Sequence, residues 1–191
     1  MAILDRLFLF TGGLSGATST IATSATTATD SPTTGTQTSS NAIDVGSAGL
    51  PTSASGGGAR DLGIGDNPAL KLQVQATGYT SGGTSIQVNL QSAPDNGSGA
   101  PGSYTTIWTG PVVLVANISG PLALSTPGQV YLANVDFPRP IPGIAAGRYY
   151  QLQFISAGTF AGLTVRGGVV LDRFDQYQTA TGAGGVACVT G

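Results

Sequence analysis

The sequence predicts an all-β protein, with a single jelly-roll-like β-sandwich of about eight antiparallel strands. From about residue 41 onward, apolar residues recur with a period of two, as on a half-buried strand. Turns rich in Gly and Pro separate these short runs, and no segment carries an apolar stripe at helical spacing. With 191 residues, 40% of them hydrophobic, the chain is long enough to bury one sizeable core.

The predicted strands follow one another with short turns between them. In residues 69–77, Leu72 and Val74 alternate with polar residues, and residues 85–92 repeat the alternation. The segment GYTSGG between them favours a turn, so these two runs are predicted to form an antiparallel hairpin. The other predicted strands are residues 42–46, 104–110, 111–117, 129–137, 148–156 and 163–173.

Proline and glycine mark where the strands are expected to end or bend. Because Pro lacks an N–H, we expect the prolines to lie at run ends. Gly167 and Gly168 interrupt the last run, which predicts either a bulge or a close approach of another segment. The prolines in question are Pro111, Pro121, Pro138, Pro140 and Pro142.

Outside the predicted domain the composition changes. The sequence predicts an N-terminal strand plus a Thr/Ser-rich arm over residues 1–40, a β domain over 41–175 and a Gly-rich tail over 176–191. Residues 21–40 hold twelve Ser/Thr, too little apolar surface to fold alone. Fixing twenty backbones costs about 20–40 kcal/mol, so we expect that if this tract is ordered, a partner orders it.

The composition argues against most catalysis. Charged residues are only 8% of the chain, with no His and no Glu, so the common triads lack their base and zinc lacks its usual ligands. The single lysine, Lys71, lies in a predicted strand, not in a phosphate-binding loop. No enzyme activity, cofactor or metal is expected. Two carboxylate pairs could suggest a site. Asp172 and Asp175 are an acid/base candidate but are more simply residues at a strand end. Asp61 and Asp66 are a calcium-loop candidate but are more simply turn residues.

The charge distribution and the apolar runs bear on partners. A formal charge of −2 with scattered arginines gives no basic patch, so direct nucleic-acid binding is not expected. No run approaches the roughly 20 apolar residues of a membrane span, and the N-terminus is too short and too charged for a secretory signal. The lone Cys188 cannot form an intrachain disulfide. Synthesis in the cytoplasm is therefore the expectation.

Several stretches resemble, in order and spacing, the capsid cement (decoration) proteins of tailed bacteriophages, of the type first named from a Bordetella phage. The resemblance covers about residues 41–175, together with the N-terminal LDRLFLF strand. The stretches are NAIDVG (41–46), ARDLGIGDNPALKLQVQAT (59–77), SIQVNLQSAPD (85–95), TIWTGP (106–111), FPRPIPGIAAGRYYQLQF (137–154) and LTVRGGVVLDR (163–173).

The resemblance implies a structural virion protein on the outer surface of an icosahedral head, made in the cytoplasm of a host bacterium. It would clamp neighbouring major capsid proteins against internal DNA pressure, as a homo-oligomer, dimer or trimer. The stretches 17–40 and 47–58 look like insertions, and residues 17–40 and 176–191 are the segments expected to reach capsid subunits. The candidate interaction residues are Leu7, Phe8, Leu9 and Phe10, which either pair with a neighbouring chain or form the first strand of their own sandwich.

Two other functions remain open at this point. A carbohydrate-binding or adhesin β-module would use exposed aromatic rings as a stacking surface. The candidate rings are Trp108, Tyr149, Tyr150 and Phe154, which are more simply core or core-edge residues. An aspartate-dependent hydrolase would rest on Asp172 and Asp175 alone.

Overall fold

The computed structural model describes residues 9–12, 21–24, 28–45, 70–119, 130–138 and 147–171. These residues form antiparallel sheets with one short helix, which confirms the all-β class. Several predictions fall outside the described residues: Leu7, Phe8, Pro121, Pro140, Pro142, Asp61, Asp66, Asp172, Asp175 and Cys188.

The strands differ greatly in length. The short ones are β1 (Ala22–Ser24), β2 (Thr29–Ser31), β3 (Gly35–Thr38), β4 (Ile43–Asp44), β6 (Ser81–Gly82) and β11 (Phe160–Ala161). The long ones are β5 (Leu70–Gly78), β7 (Ser85–Ala93), β8 (Thr105–Leu114), β9 (Val130–Asp136), β10 (Tyr149–Ala157) and β12 (Thr164–Leu171). The helix α1 (Val115–Ser119) follows β8 directly.

Two sheets enclose the core in a β-sandwich-like arrangement. Sheet I has the order β1-β2-β12-β5-β9, and sheet II has the order β3-β10-β7-β8, with β4 also paired to β10. The short strands β6 and β11 pair with each other. Alternate residues of the central strands are buried, among them Leu72 on β5, Leu90 on β7 and Phe154 on β10. Burying each such side chain contributes about 1.5–3 kcal/mol.

The predicted hairpin between residues 69–77 and 85–92 is wrong. The two runs become β5 and β7, which lie in different sheets, β5 between β12 and β9 and β7 between β10 and β8. Period-two alternation identifies the face that a strand buries, but it does not identify its neighbour. Both strands also bury polar residues on the face away from the core, including Gln73 and Asn89, which is possible because each has a neighbour on both sides.

The prediction that Pro111 ends a run is also wrong. Residues 105–114 form one continuous strand, β8, on the edge of sheet II. The pairing with β7 shifts register where Gly110 and Pro111 oppose β7, so the missing N–H falls in a bulge. The side chain of Gln87 donates to the carbonyl oxygen of Gly110 at 2.8 Å. This hydrogen bond satisfies a backbone acceptor of the bulge.

Part of the N-terminal region belongs to the sheets, which differs from the expectation that a partner orders the Thr/Ser tract. Strand β2 pairs with β12, and β3 pairs with β10. Leu9 bridges Gly168, the Phe10 N–H donates to Gly167 at 2.8 Å, and the Asn41 N–H donates to Phe10 at 2.9 Å. Sheet hydrogen bonds and the burial of Phe10 within the same chain offset the ordering cost.

Gly167 occupies a close approach between the two sheets. A Cβ placed there lies 2.6 Å from Cδ1 of Leu152 on sheet II. The Gly167 N–H donates to Oγ1 of Thr11 at 3.0 Å, so the N-terminal segment also contacts it. Of the two predicted alternatives, the structure therefore shows a close approach at Gly167. The bulge alternative does not apply there, because the nearest register shift lies between Thr164 and Val165.

Gly167→Val is expected to lower the free energy of unfolding by about 3 kcal/mol, because the added methyl groups enter a close-packed core. Urea denaturation of the purified variant measures the change. The double variant Gly167→Val/Leu152→Ala is expected to lose less stability than the two single variants together, because the Val side chain fills the space that Leu152 vacates. Strict additivity would contradict this account of the contact.

Candidate interaction surface

The four main strands of sheet II carry no charge. These strands, β3, β7, β8 and β10, contain no Asp, Glu, Lys or Arg. Strands of sheet I, by contrast, carry Asp30, Lys71, Asp136 and Arg166. Because the apolar residues of sheet II face the core, its outer face consists of neutral polar side chains and a few apolar ones. This outer face is the candidate interaction surface.

Amide side chains form a ladder across the middle of this face. The Gln151 Nε2 group on β10 donates to Oε1 of Gln91 on β7 at 2.8 Å. The Gln91 Nε2 group approaches Oγ1 of Thr106 on β8 at 3.4 Å. In the next pair on the same face, two residues along each strand, the Asn89 Nδ2 group donates to Oε1 of Gln153 at 3.1 Å. These mutual hydrogen bonds fix the side chains, so a partner that binds here orders few additional rotamers.

One end of the face is apolar. Among the described residues, the exposed large hydrophobic side chains are Val112 and Leu114 on β8, which are 58% and 53% exposed. Cross-strand register places Val112 in a row with Gln87 and Ile155, because Gln87 pairs with both. Single exposed apolar residues are normal, but this group is contiguous and lies beside the amide ladder.

The other end of the face holds a compact ion cluster. Arg148 donates from Nε and Nη2 to the two carboxylate oxygens of Asp44, at 2.8 and 2.9 Å, and also pairs with Asp95. Its guanidinium carbon lies 5.1 Å from the ring centroid of Tyr149. The hydrogen bond that Arg148 donates to Asp44 raises the pKa of Arg148, and the hydrogen bond from the Gly97 N–H lowers the pKa of Asp95. The cluster ties β4 and the loop after β7 to the start of β10.

A buried carboxylate lies away from this surface, in the N-terminal part of the fold. Asp30 on β2 is fully buried, and its Oδ1 accepts from the Gly12 N–H at 2.9 Å and from Oγ of Ser40 at 2.5 Å. Its Oδ2 accepts from the Ser40 N–H at 2.8 Å. Burial raises the pKa of Asp30, and the three hydrogen bonds partly oppose that rise. Asp30 therefore joins three chain segments through neutral donors.

The two candidate residues from the sequence that the structure describes do not lie on this surface. Leu9 is 5% exposed and Phe10 is fully covered, and both contact β12 of their own chain. For these two residues the structure matches the alternative in which the segment belongs to its own sandwich. Sequence reasoning did not find the outer face of sheet II. The available signal was a set of alternating strands whose polar positions are all Gln, Asn, Thr or Ser.

The aromatic side chains lie where the core prediction placed them. Tyr149, Tyr150 and Phe154 are buried, and Trp108 is half-buried and packs against the core. A further ring that is not one of the four, that of Tyr104, is half-buried, and burial raises the pKa of Tyr104 to about 12. None of the four predicted rings stands free as a flat stacking surface.

A scan against protein-family models and a search of curated protein sequences found no match to the chain. Within the described residues, no three Asp, Glu, His or Cys side chains converge in a group that fits a metal ion. In the same part of the chain, no helix is long and apolar enough to cross a membrane.

Proposed function

We propose that this chain is a structural virion protein, a capsid decoration protein that binds the outer surface of an icosahedral phage head. It clamps neighbouring major capsid proteins against internal DNA pressure and acts as a homo-oligomer without catalytic activity. The resemblance of residues 41–175 to phage cement proteins motivates the proposal. The observation that carries it is the outer face of sheet II, whose four main strands carry no charged residue.

We further propose that the sandwich is a jelly roll. Counting β3 and β4 as one strand, and setting aside the short strands β1, β6 and β11, leaves eight strands in chain order, of which β2 is the first. Sheet I then reads 1-8-3-6 and sheet II reads 2-7-4-5. Two interleaved Greek keys produce this order, and viral capsid and lectin domains both use it.

The neutral face supports a clamp that acts through interface energetics. Burying an unpaired charge is costly, and the four main strands of sheet II, which carry no charge, avoid that cost away from the ion cluster. The exposed Val112 and Leu114 supply apolar area for the buried centre of a contact, and the half-buried Gln151 and Gln153 of the amide ladder supply neutral hydrogen-bonding groups beside it. The matching surface on the capsid protein is accordingly uncharged, since any charge buried there would face no counter-charge.

Co-sedimentation with expanded, undecorated capsids tests the proposal. The full-length protein is expected to pellet at saturable stoichiometry and to remain bound as salt is raised, because screening acts on charges. Leu114→Asp is expected to weaken binding at least about tenfold, since it buries an unpaired charge. Asn134→Asp places the same charge on the exposed edge strand β9 of sheet I and is expected to leave binding unchanged.

Two outcomes contradict the proposal in different ways. If the wild-type chain does not bind capsids, the decoration role falls. If wild type, Leu114→Asp and Asn134→Asp bind equally well, the role stands and the contact lies on another surface. Circular dichroism of each variant checks that the fold is retained.

A carbohydrate-binding module is the alternative function, because lectins also use jelly rolls. The amide ladder has the chemistry that contacts sugar hydroxyls. The buried positions of Tyr150 and Phe154 remove two of the rings that would stack on a sugar. Glycan-array binding by a chain that ignores capsids would favour this alternative.

A further inference from the structure

The loop between β7 and β8 contains the dipeptide Asn96-Gly97, the Asn-Gly pair of this sequence. In such a pair the backbone nitrogen of the Gly can attack the side-chain carbonyl carbon of the Asn, because the Gly carries no Cβ that hinders the approach. Both residues are exposed, Gly97 has a φ of +89°, and no atom lies within 4 Å of the place its Cβ would occupy. Water and departing ammonia therefore have open access.

A carboxylate contacts the attacking nitrogen. The Gly97 N–H donates to Oδ1 of Asp95 at 2.7 Å, and the Gly99 N–H donates to the same oxygen at 3.1 Å. A general base must lie within about 2.6–3.2 Å of the atom whose proton it accepts, and Asp95 satisfies this requirement. The Gly97 N–H lowers the pKa of Asp95, so this carboxylate is ionised at neutral pH.

Hydrogen-bond donors surround the oxygen that would become negative. Oδ1 of Asn96 accepts from the Ser98 N–H at 2.9 Å and from the Ser98 hydroxyl at 2.7 Å. The Ala100 N–H approaches the same oxygen at 3.4 Å. Attack on the amide carbon places negative charge on Oδ1, where preorganised donors stabilise a tetrahedral intermediate.

We propose that this loop is a self-modification site, in which Asn96 converts through a succinimide to aspartate or isoaspartate. The Gly97 nitrogen bonds to Cγ of Asn96, and its proton passes to Asp95. The intermediate collapses, the Cγ–Nδ2 bond breaks, and Nδ2 leaves as ammonia with the proton that Asp95 held. Water then opens either carbonyl of the ring, so no oxidation or reduction occurs.

The product carries a new carboxylate beside Asp95. The formal charge of the chain becomes more negative by one, at the end of sheet II where Arg148 already pairs with Asp44 and Asp95. Isoaspartate also lengthens the backbone of the loop. Conversion therefore changes the charge and the shape of this end of the outer face.

Peptide mass spectrometry of the full-length protein during incubation at neutral pH tests the proposal. The native chain is expected to convert at Asn96 about tenfold faster than the same chain unfolded in urea, where only the local sequence acts. This is below the factor of 10² or more typical of general bases, because a carboxylate with a lowered pKa is a weak base. Exposed Asn117 and Asn134, followed by the branched residues Ile118 and Val135, are expected to remain unconverted.

Three variants separate the chemistry from loop structure. Asp95→Asn retains an acceptor for Gly97 but removes the base, and it is expected to reduce the native rate to the unfolded rate or below. Ser98→Ala removes one donor and is expected to slow conversion by a smaller factor. Arg148→Gln breaks the ion pair but keeps the base, so the rate is expected not to fall. A native rate at or below the unfolded rate, or an unchanged rate in Asp95→Asn, overturns the proposal.

Discussion

A chain that begins at Asn41 is expected to fail to fold cooperatively. Such a chain lacks β1, β2 and β3, and it lacks the fully buried side chain of Phe10. Truncating a buried Phe costs about 3–5 kcal/mol, and the whole stability of a domain is about 5–15 kcal/mol. Loss of Phe10, of Asp30 and of the sheet hydrogen bonds of β2 and β3 together exceeds what the remaining sandwich can supply.

Thermal unfolding followed by far-ultraviolet circular dichroism measures this effect. The truncated chain is expected to show no sharp transition, whereas Phe10→Ala in the full chain is expected to unfold cooperatively at a lower midpoint. The comparison separates loss of one side chain from loss of the strands. If the truncated chain unfolds with the midpoint of the full chain, the N-terminal residues are a tether and contribute nothing to the fold.

Asp30→Ala is expected to lower the free energy of unfolding by about 2–5 kcal/mol, as urea denaturation would measure. The substitution leaves the N–H groups of Gly12 and Ser40 without their acceptor, and each unsatisfied buried group costs about 1–3 kcal/mol. Asp30→Asn keeps one acceptor oxygen at nearly the same shape, so its cost is expected to be about half as large. Equal stability of wild type and Asp30→Ala would contradict the role of this carboxylate.

The same carboxylate predicts a pH dependence. Burial raises the pKa of Asp30 above its usual value of 3.8. At a pH between the unfolded and folded pKa values, the folded state therefore holds a proton that the unfolded state has released. The resulting stabilisation is fully present below the unfolded pKa and is lost as pH rises through the raised folded pKa. Acidification from neutral pH toward pH 4 should therefore stabilise wild type relative to Asp30→Asn. A difference that stays constant across this range would contradict the prediction.

The alternating strands could be predicted from the sequence because each has one apolar face. Residues 69–77, 85–92 and 148–156 became β5, β7 and β10 nearly as predicted. The strands of the Thr/Ser tract could not be predicted in this way. In β3 all four residues are small or polar, and its position depends on hydrogen bonds to β10.

The neighbours of each strand could not be predicted from local patterns. GYTSGG suits a hairpin turn, yet it connects strands of different sheets, because the choice of neighbour depends on how the two sheets cover each other's apolar faces. The candidate surface was missed for a related reason. The alternation that identifies Leu90 as core says nothing about Asn89 and Gln91, whose partners Gln153 and Gln151 lie sixty or more residues away along the chain.

The position of β12 in sheet I has a consequence for the order of folding. It is the last described strand along the chain, yet it lies between β2 and β5 and is paired with both. Sheet I therefore cannot close until β12 has been synthesised, and β2, which ends at Ser31, must wait for its neighbour β12, which begins only at Thr164. Folds dominated by such distant pairings form slowly, in milliseconds to seconds for domains of this kind. During that interval the uncharged edge strands rely on features such as Pro111 and its bulge to avoid pairing with other nascent chains.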